Sequence, residues 1–159
     1  MVHFLKDDKG RALYHIAVDL LLINGNKVLL QRRANTGWND GRWSLAGGHS
    51  EGEETWGETL AREAKEELGI EISPKDLTMV HCIQHKTDRL TMQFYMTCWK
   101  YKGEPTIQPE VVNGLKVYKA DKLEWFDVDD LPKEIIPSAR QAIIAYAKKQ
   151  SFSELGFEN

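Results

Sequence analysis

Hydrophobic positions along the chain follow two rhythms. From Ala12 to Ile23, Ile16, Val18, Leu20 and Leu22 alternate along one face of an extended segment. Asn24-Gly25-Asn26 then turns the chain into Lys27-Val28-Leu29-Leu30, a hairpin signal because Asn and Gly accept positive φ. Leu77 to Ile83 reads as a further strand. From Arg89 to Trp99, Leu90, Met92, Phe94, Met96 and Cys98 alternate against Thr91, Gln93, Tyr95 and Thr97, so the first set is expected to face a core. Lys122 to Val128 reads as a short last strand.

Helical spacing occurs twice. Thr55 to Leu68 is rich in strong helix formers and stops at Gly69, a favoured helix terminator. Pro137-Ser138 opens a second helix, in which Ala139, Ala142, Ile143, Tyr146 and Ala147 recur at helical intervals. Arg33 to Gly52, with its Gly, Asn, Asp and Ser and the doublet Gly47-Gly48, reads as a loop before the first helix. Gly103 to Asn113, with Pro105 and Pro109, reads as another loop, and Ser151 to Asn159 carries no clear signal. Strands with helices at two separate places predict an α/β (α+β) fold, a mixed sheet packed by helices on both faces.

The length of 159 residues suits a single domain over residues 1–159. With 42% hydrophobic and 28% charged residues, collagen-like and disordered classes fit poorly. A net charge of -3 gives no general pull towards nucleic acid or an anionic membrane, so those partners would need local evidence, and a homodimer is left open. Cys82 and Cys98 sit apart in apolar stretches without a C-x-x-C, which points to a reducing compartment such as the cytoplasm, with both thiols buried. The N-terminus lacks a basic region followed by an apolar one, and His15 and Asp19 interrupt the longest apolar tract, so neither a signal peptide nor a membrane span is expected.

Charge is concentrated in one place. Residues 51 to 67 hold seven Glu against Arg62 and Lys65. On the first helix Glu63, Glu66 and Glu67 fall within an arc of roughly 100°, beside the packing side formed by Leu60, Ala61, Ala64 and Leu68. Three like charges so spaced repel one another; the charge pattern alone fits an ordinary exposed face, although a solvated face would usually interleave Lys. A hard divalent cation reverses the sign: Mg²⁺ or Mn²⁺ prefers oxygen ligands and leaves positions open to substrate phosphates. Gly47-Gly48 lies just upstream, where backbone can approach an ion closely and a carbonyl could join the ligands.

Gly48, five residues, Glu54, seven residues and Arg62-Glu63-Ala64-Lys65-Glu66-Glu67-Leu68-Gly69-Ile70 together closely resemble the signature of the Nudix hydrolase family. Ala64 is smaller than the aliphatic residue usual there, and Glu51-Gly52-Glu53-Glu54 orders its glycine differently from the frequent E-x-G-E. Leu29 to Arg33, Trp43 to His49, Leu123-Glu124-Trp125-Phe126 and Leu131-Pro132 follow the family's order too, so the resemblance covers about residues 12 to 148. It implies an α/β/α sandwich with a mixed β-sheet between helices. It also implies a divalent-metal enzyme that cleaves a nucleoside diphosphate linked to another moiety.

Carried onto this chain, the resemblance makes Glu63, Glu66, Glu67 and the Gly48 carbonyl metal ligands, while Glu54 and Arg62 steady loop and helix. Glu66 or Glu67 could also take the proton of the attacking water. Many relatives place that base on a loop after the signature, where Glu110, Asp121 and Glu124 are the nearby acids; in some it stands seven residues before the Leu of a Leu-x-Trp-Phe strand, where this chain has Lys116, and Glu110 could substitute. Arg32 and Arg33 either hold a phosphate or are solvated surface arginines; Trp38, Trp43 and Tyr95 either stack on a base or pack internally. His49 is a further candidate phosphate contact. The leading expectation is a magnesium-dependent pyrophosphohydrolase of a nucleoside triphosphate or related nucleotide. The alternatives are an ADP-ribose or nucleotide-sugar hydrolase and a non-catalytic nucleotide sensor, although sensors on this fold usually lose the carboxylates retained here.

Overall fold

A computed structural model describes residues 4–158 of the chain. In order, the elements are β1 (His15–Leu21), β2 (Ile23–Asn24), β3 (Lys27–Arg33), β4 (Trp43–Ser44), β5 (Ala46–His49), α1 (Trp56–Leu68) and β6 (Glu71–Ile72). A 3₁₀ turn (Pro74–Asp76) leads into β7 (Leu77–Lys86), β8 (Leu90–Cys98), β9 (Tyr101–Lys102), β10 (Pro109–Val112), β11 (Leu115–Tyr118), β12 (Ala120–Asp127), α2 (Pro137–Ala147) and β13 (Phe152–Leu155).

The central sheet is mixed and five-stranded, in the order β13-β7-β8-β1-β5; β1 runs parallel to β8 and β13 parallel to β7, while the other pairs are antiparallel. A second sheet has the order β12-β3-β2, with β4 also on β3. α1 covers one side of the main sheet, burying Leu60, Ala64 and Leu68 against Val18, Leu20 and Met96. α2 covers the other, burying Ala139, Ala142 and Ile143 against Leu21, Ile83 and Tyr95. This is the expected layering of helix, mixed sheet and helix.

Having a helix on each side explains why alternation on β8 did not separate core from surface. Met96 and Cys98 face the α1 core, while Tyr95, from the polar-looking set, is fully buried in the α2 core. Cys98 is buried as expected, but Cys82 is only half-buried. The expected loop at 103–113 contains β10, which pairs with β11 as an antiparallel hairpin through Asn113 (φ 50°) and Gly114 (φ 78°). The unassigned tail forms β13, whose Ser153 Oγ and preceding Gln150 carbonyl hold the two ring nitrogens of buried His81 at 2.8 and 2.7 Å. Among the described residues no helix is long and apolar enough to cross a membrane.

Candidate active site

α1 is fixed sharply at both ends, and this sets where its carboxylates stand. Thr55 caps the N-terminus in a reciprocal box: the Glu58 amide donates to Thr55 Oγ1 and the Thr55 amide to Glu58 Oε2 at 2.8 Å. At the other end Gly69 takes the left-handed conformation (φ 69°) that closes the last turn. The Thr106 amide then donates to the Leu68 carbonyl and the Gln108 amide to that of Glu67, so the segment leading into β10 lies against the end of α1.

Arg62 ties the preceding loop to the helix. Its Nε donates to Glu54 Oε1 at 2.7 Å, Nη2 to Glu54 Oε2 and the His49 carbonyl at 3.2 Å each, and Nη1 to Glu63 Oε1 at 3.0 Å and Glu66 Oε2 at 3.3 Å. Glu54 also accepts from the buried Thr59 hydroxyl at 3.0 Å. The Arg62 guanidinium beside it lowers the Glu54 carboxyl to about 2 and is itself pushed further up. These contacts join the 49–54 loop to α1.

Glu67 is the least exposed of the helix carboxylates. Its Oε2 accepts from the Gly47 amide at 3.0 Å and from Gln31 Nε2 at 2.9 Å. Burial, and then repulsion from Glu63 and Asp19, outweigh those bonds and raise Glu67 to about 7. Burial, with repulsion from Glu66, also raises Glu63, against the pull of Arg62 and Lys119. Glu63 Oε1 occupies the space that a Cβ at Gly48 would fill, so glycine there is a condition for the contact. Glu66 is more than half exposed and, among the described residues, reaches Arg62 alone.

Asp19 joins this acidic group from β1, and sequence reasoning missed it, noting it only as a break in an apolar tract. It pairs with Gly47 across the β1–β5 ladder, and its Oδ1 lies 2.8 Å from where a Cβ at Gly47 would be. It accepts from Gln93 Nε2 at 2.7 Å, and burial raises it to about 7. Gln31, buried between β3 and α1, was missed as well. The available signal was a polar side chain at an inward position of a strand.

The other candidates separate clearly. Arg32 makes a two-pronged pair with Asp121 (2.8 and 2.7 Å). Arg33 donates to the Trp38 carbonyl and Thr36 Oγ1 and stacks 4.9 Å from the Trp38 ring centre, ordering the 34–42 loop. Trp43 and Tyr95 are corrections. Trp43 packs edge-on to Phe126 in the α2 core and Tyr95 is wholly enclosed, so in this structure neither offers a face to a base. Exposed His49 lies edge-on to His15 at 6.3 Å; partial burial and the charges of His15 and Arg89 lower it. Glu110 pairs with Lys119 at 2.6 Å, close to the C-terminal end of α1.

The α2-side face of the main sheet is covered only in part. Around Ala17, the registers place His15 and Asp19 on β1, His49 on β5, Thr91 and Gln93 on β8 and His85 on β7 on one face. That polar half adjoins the glycine doublet.

Among the described residues, no three of His, Cys, Asp and Glu are gathered closely enough to hold a metal ion as they stand. The chemistry of the donors nevertheless suits a hard cation. Glu63 and Glu67 are desolvated and mutually repelling, Glu66 is beside them, and the Gly48 backbone is open to close approach because it carries no side chain.

The NUDIX domain family model matches residues 13–146. The chain is 33% identical over 89 residues to a protein of Proteus vulgaris named 8-oxo-dGTP diphosphatase, an overlap spanning 54% of this chain and 78% of that one. Two solved structures share the fold at a TM-score of 0.70. One is a MutT NUDIX hydrolase from Burkholderia pseudomallei (23% identical; 83% of this chain, 97% of that one), the other a MutT protein from Methanosarcina mazei Go1 (20%; 86% and 94%). With the family model matching most of its length and the signature helix folded against the glycine doublet, the chain belongs to the NUDIX family and is a Nudix hydrolase.

Proposed function

We propose that this hydrolase cleaves the pyrophosphate linkage of a nucleoside triphosphate or related nucleoside diphosphate derivative in a Mg²⁺- or Mn²⁺-dependent reaction, releasing a nucleoside monophosphate. Nudix hydrolases are generally dependent on a divalent metal. The observation that carries the reading is the group of desolvated acids, Asp19, Glu63 and Glu67, against Gly47 and Gly48. An anionic phosphate chain cannot approach it without cations between them. A divalent cation held by Glu63, Glu66, Glu67 and the Gly48 carbonyl would offset that charge and acidify an attacking water.

The chain's own residues supply the rest. Arg62 and Glu54 hold the loop against α1 so that the Gly48 carbonyl and the helix carboxylates keep one geometry. Gln31 and the Gly47 amide orient Glu67. We read Glu110 and Glu67 as the candidate acceptors of the proton lost by the attacking water, Glu110 because its carboxylate is paired only with an exposed lysine among the described residues and Glu67 because it stands against the Gly47 amide. The open polar half-face with His15, His49 and Gln93 suits the nucleoside end, because hydrogen-bonding groups next to the phosphate site can read a base edge. The name of the Proteus vulgaris relative makes oxidised and ordinary purine nucleoside triphosphates the first substrates to try.

The test is a panel of canonical, oxidised and sugar-linked nucleotides with Mg²⁺, with products separated by chromatography. Monophosphate and pyrophosphate from at least one triphosphate, abolished by chelation, are expected. Turnover that persists in chelator, or loss of only the terminal phosphate, overturns the proposal.

A further inference from the structure

Lys119 has been given no part in the reaction so far, yet its backbone and side chain are both placed with respect to the site. It occupies the single-residue link between β11 and β12, and the Ala34 amide donates to its carbonyl at 2.9 Å. Asn35 Nδ2 donates to the neighbouring Tyr118 carbonyl at 3.0 Å, so the link is fastened to the loop that follows β3. Its ammonium lies 2.6 Å from Glu110 Oε2, with both side chains about half exposed. The charges of Glu63 and Glu67 also act on it and help keep it protonated, after the larger effect of Glu110.

Arg62 and Lys119, the cations whose charges act on Glu63, are differently engaged. Arg62 spends its donors on Glu54, Glu63, Glu66 and the His49 carbonyl, and it cannot leave them without loosening the loop. Lys119 has one ion-pair partner among the described residues, an exposed carboxylate, and a solvated pair of this kind contributes little net stability. It is therefore the cation free to change partners.

We propose that Lys119 is a substrate-binding residue whose ammonium leaves Glu110 for a non-bridging oxygen of the substrate's phosphate chain. The exchange frees the Glu110 carboxylate beside the reacting phosphate, so substrate arrival and exposure of the acid become one event. This rests on the pyrophosphohydrolase reading above.

The measurements are calorimetric binding of a non-hydrolysable nucleoside triphosphate analogue in the presence of Mg²⁺, and KM and kcat on whichever nucleotide is turned over. Lys119→Met is expected to weaken analogue binding and raise KM by about tenfold, the effect of losing one charge-assisted hydrogen bond. Lys119→Arg is expected to stay within about threefold, since its charge and donors persist. Glu110→Gln, which removes the competing carboxylate, is expected to tighten the analogue a few-fold while lowering kcat. Unchanged analogue affinity in Lys119→Met, or Glu110→Gln weakening the analogue as much as Lys119→Met does, overturns the exchange. A wild-type protein that turns over no nucleotide instead overturns the underlying reading, so the two failures are distinct.

Discussion

Replacing Glu67 by Gln should make the metal-free protein more stable above neutral pH while removing its response to metal. The folded protein raises Glu67 to about 7 from an ordinary 4.5, chiefly by burial. At about 1.4 kcal/mol per pH unit, that gap corresponds to roughly 3 kcal/mol by which the ionised form disfavours folding. The cost is absent below about 4.5, grows as the pH rises between the unfolded and folded values, and is complete above about 7. Glutamine removes the charge and keeps an acceptor for the Gly47 amide, but it brings an NH₂ group into a dry spot at a cost of about 1–2 kcal/mol. The net gain at pH 8 is about 1–2 kcal/mol, or about 3–6 °C in Tm for a chain of this length. The assay is thermal unfolding of both proteins at pH 5 and pH 8 with chelator, repeated with excess Mg²⁺. A higher Tm for Glu67→Gln is expected at pH 8 only, with a metal-induced rise in the wild type alone. An equal or lower Tm for the variant at pH 8, with the same difference at pH 5, would refute the argument that buried charge is stored at this position.

Two further substitutions probe neighbouring claims. Gly48→Ala puts a Cβ into the Glu63 carboxylate and should lower metal affinity on the order of tenfold or more by calorimetry, with Tm changed by only a few degrees because the collision is with a movable side chain. Tyr95→Phe removes a buried hydroxyl that has no well-formed hydrogen bond among the described residues, with the Ser138 side chain as a polar neighbour; Tm should be little changed and kcat/KM unaltered, whereas a large loss of activity would restore Tyr95 to the substrate site.

The chemistry-bearing helix was legible because local rules fix it. Cap, carboxylate spacing and terminator all lie within Thr55 to Gly69, and the structure differs from the expected span by only the capping residue. The hairpin of β10 and β11 was obscured by Pro105 and Pro109, although Asn113-Gly114 carries the same turn chemistry recognised at Asn24-Gly25. β13 is four residues long and gains its strand character from pairing with β7, a tertiary fact outside any local window. The choice between stacking and packing for Trp43 and Tyr95 stayed open because an aromatic side chain serves a core or a ligand equally well, and only the presence of α2 decides. Asp19 and Gln31 were missed because no spacing rule links β1 and β3 to a helix that begins only at Trp56; their meaning comes from the pairing that brings Gly47 and Glu67 beside them.

β13 has a consequence for how the molecule keeps to itself. It lies on the outer margin of the main sheet, pairs with β7 from Cys82 to His85, and supplies one of the two hydrogen bonds on the His81 ring. A chain cut before Ser151 would bare four residues of unpaired β7 backbone and leave a histidine ring nitrogen without its hydroxyl. Such a margin is a template on which another chain can add a strand. The short terminal strand thus works as a stopper, and its removal would be seen first as self-association rather than as loss of hydrolysis, since the carboxylate helix stands on the far side of the sheet.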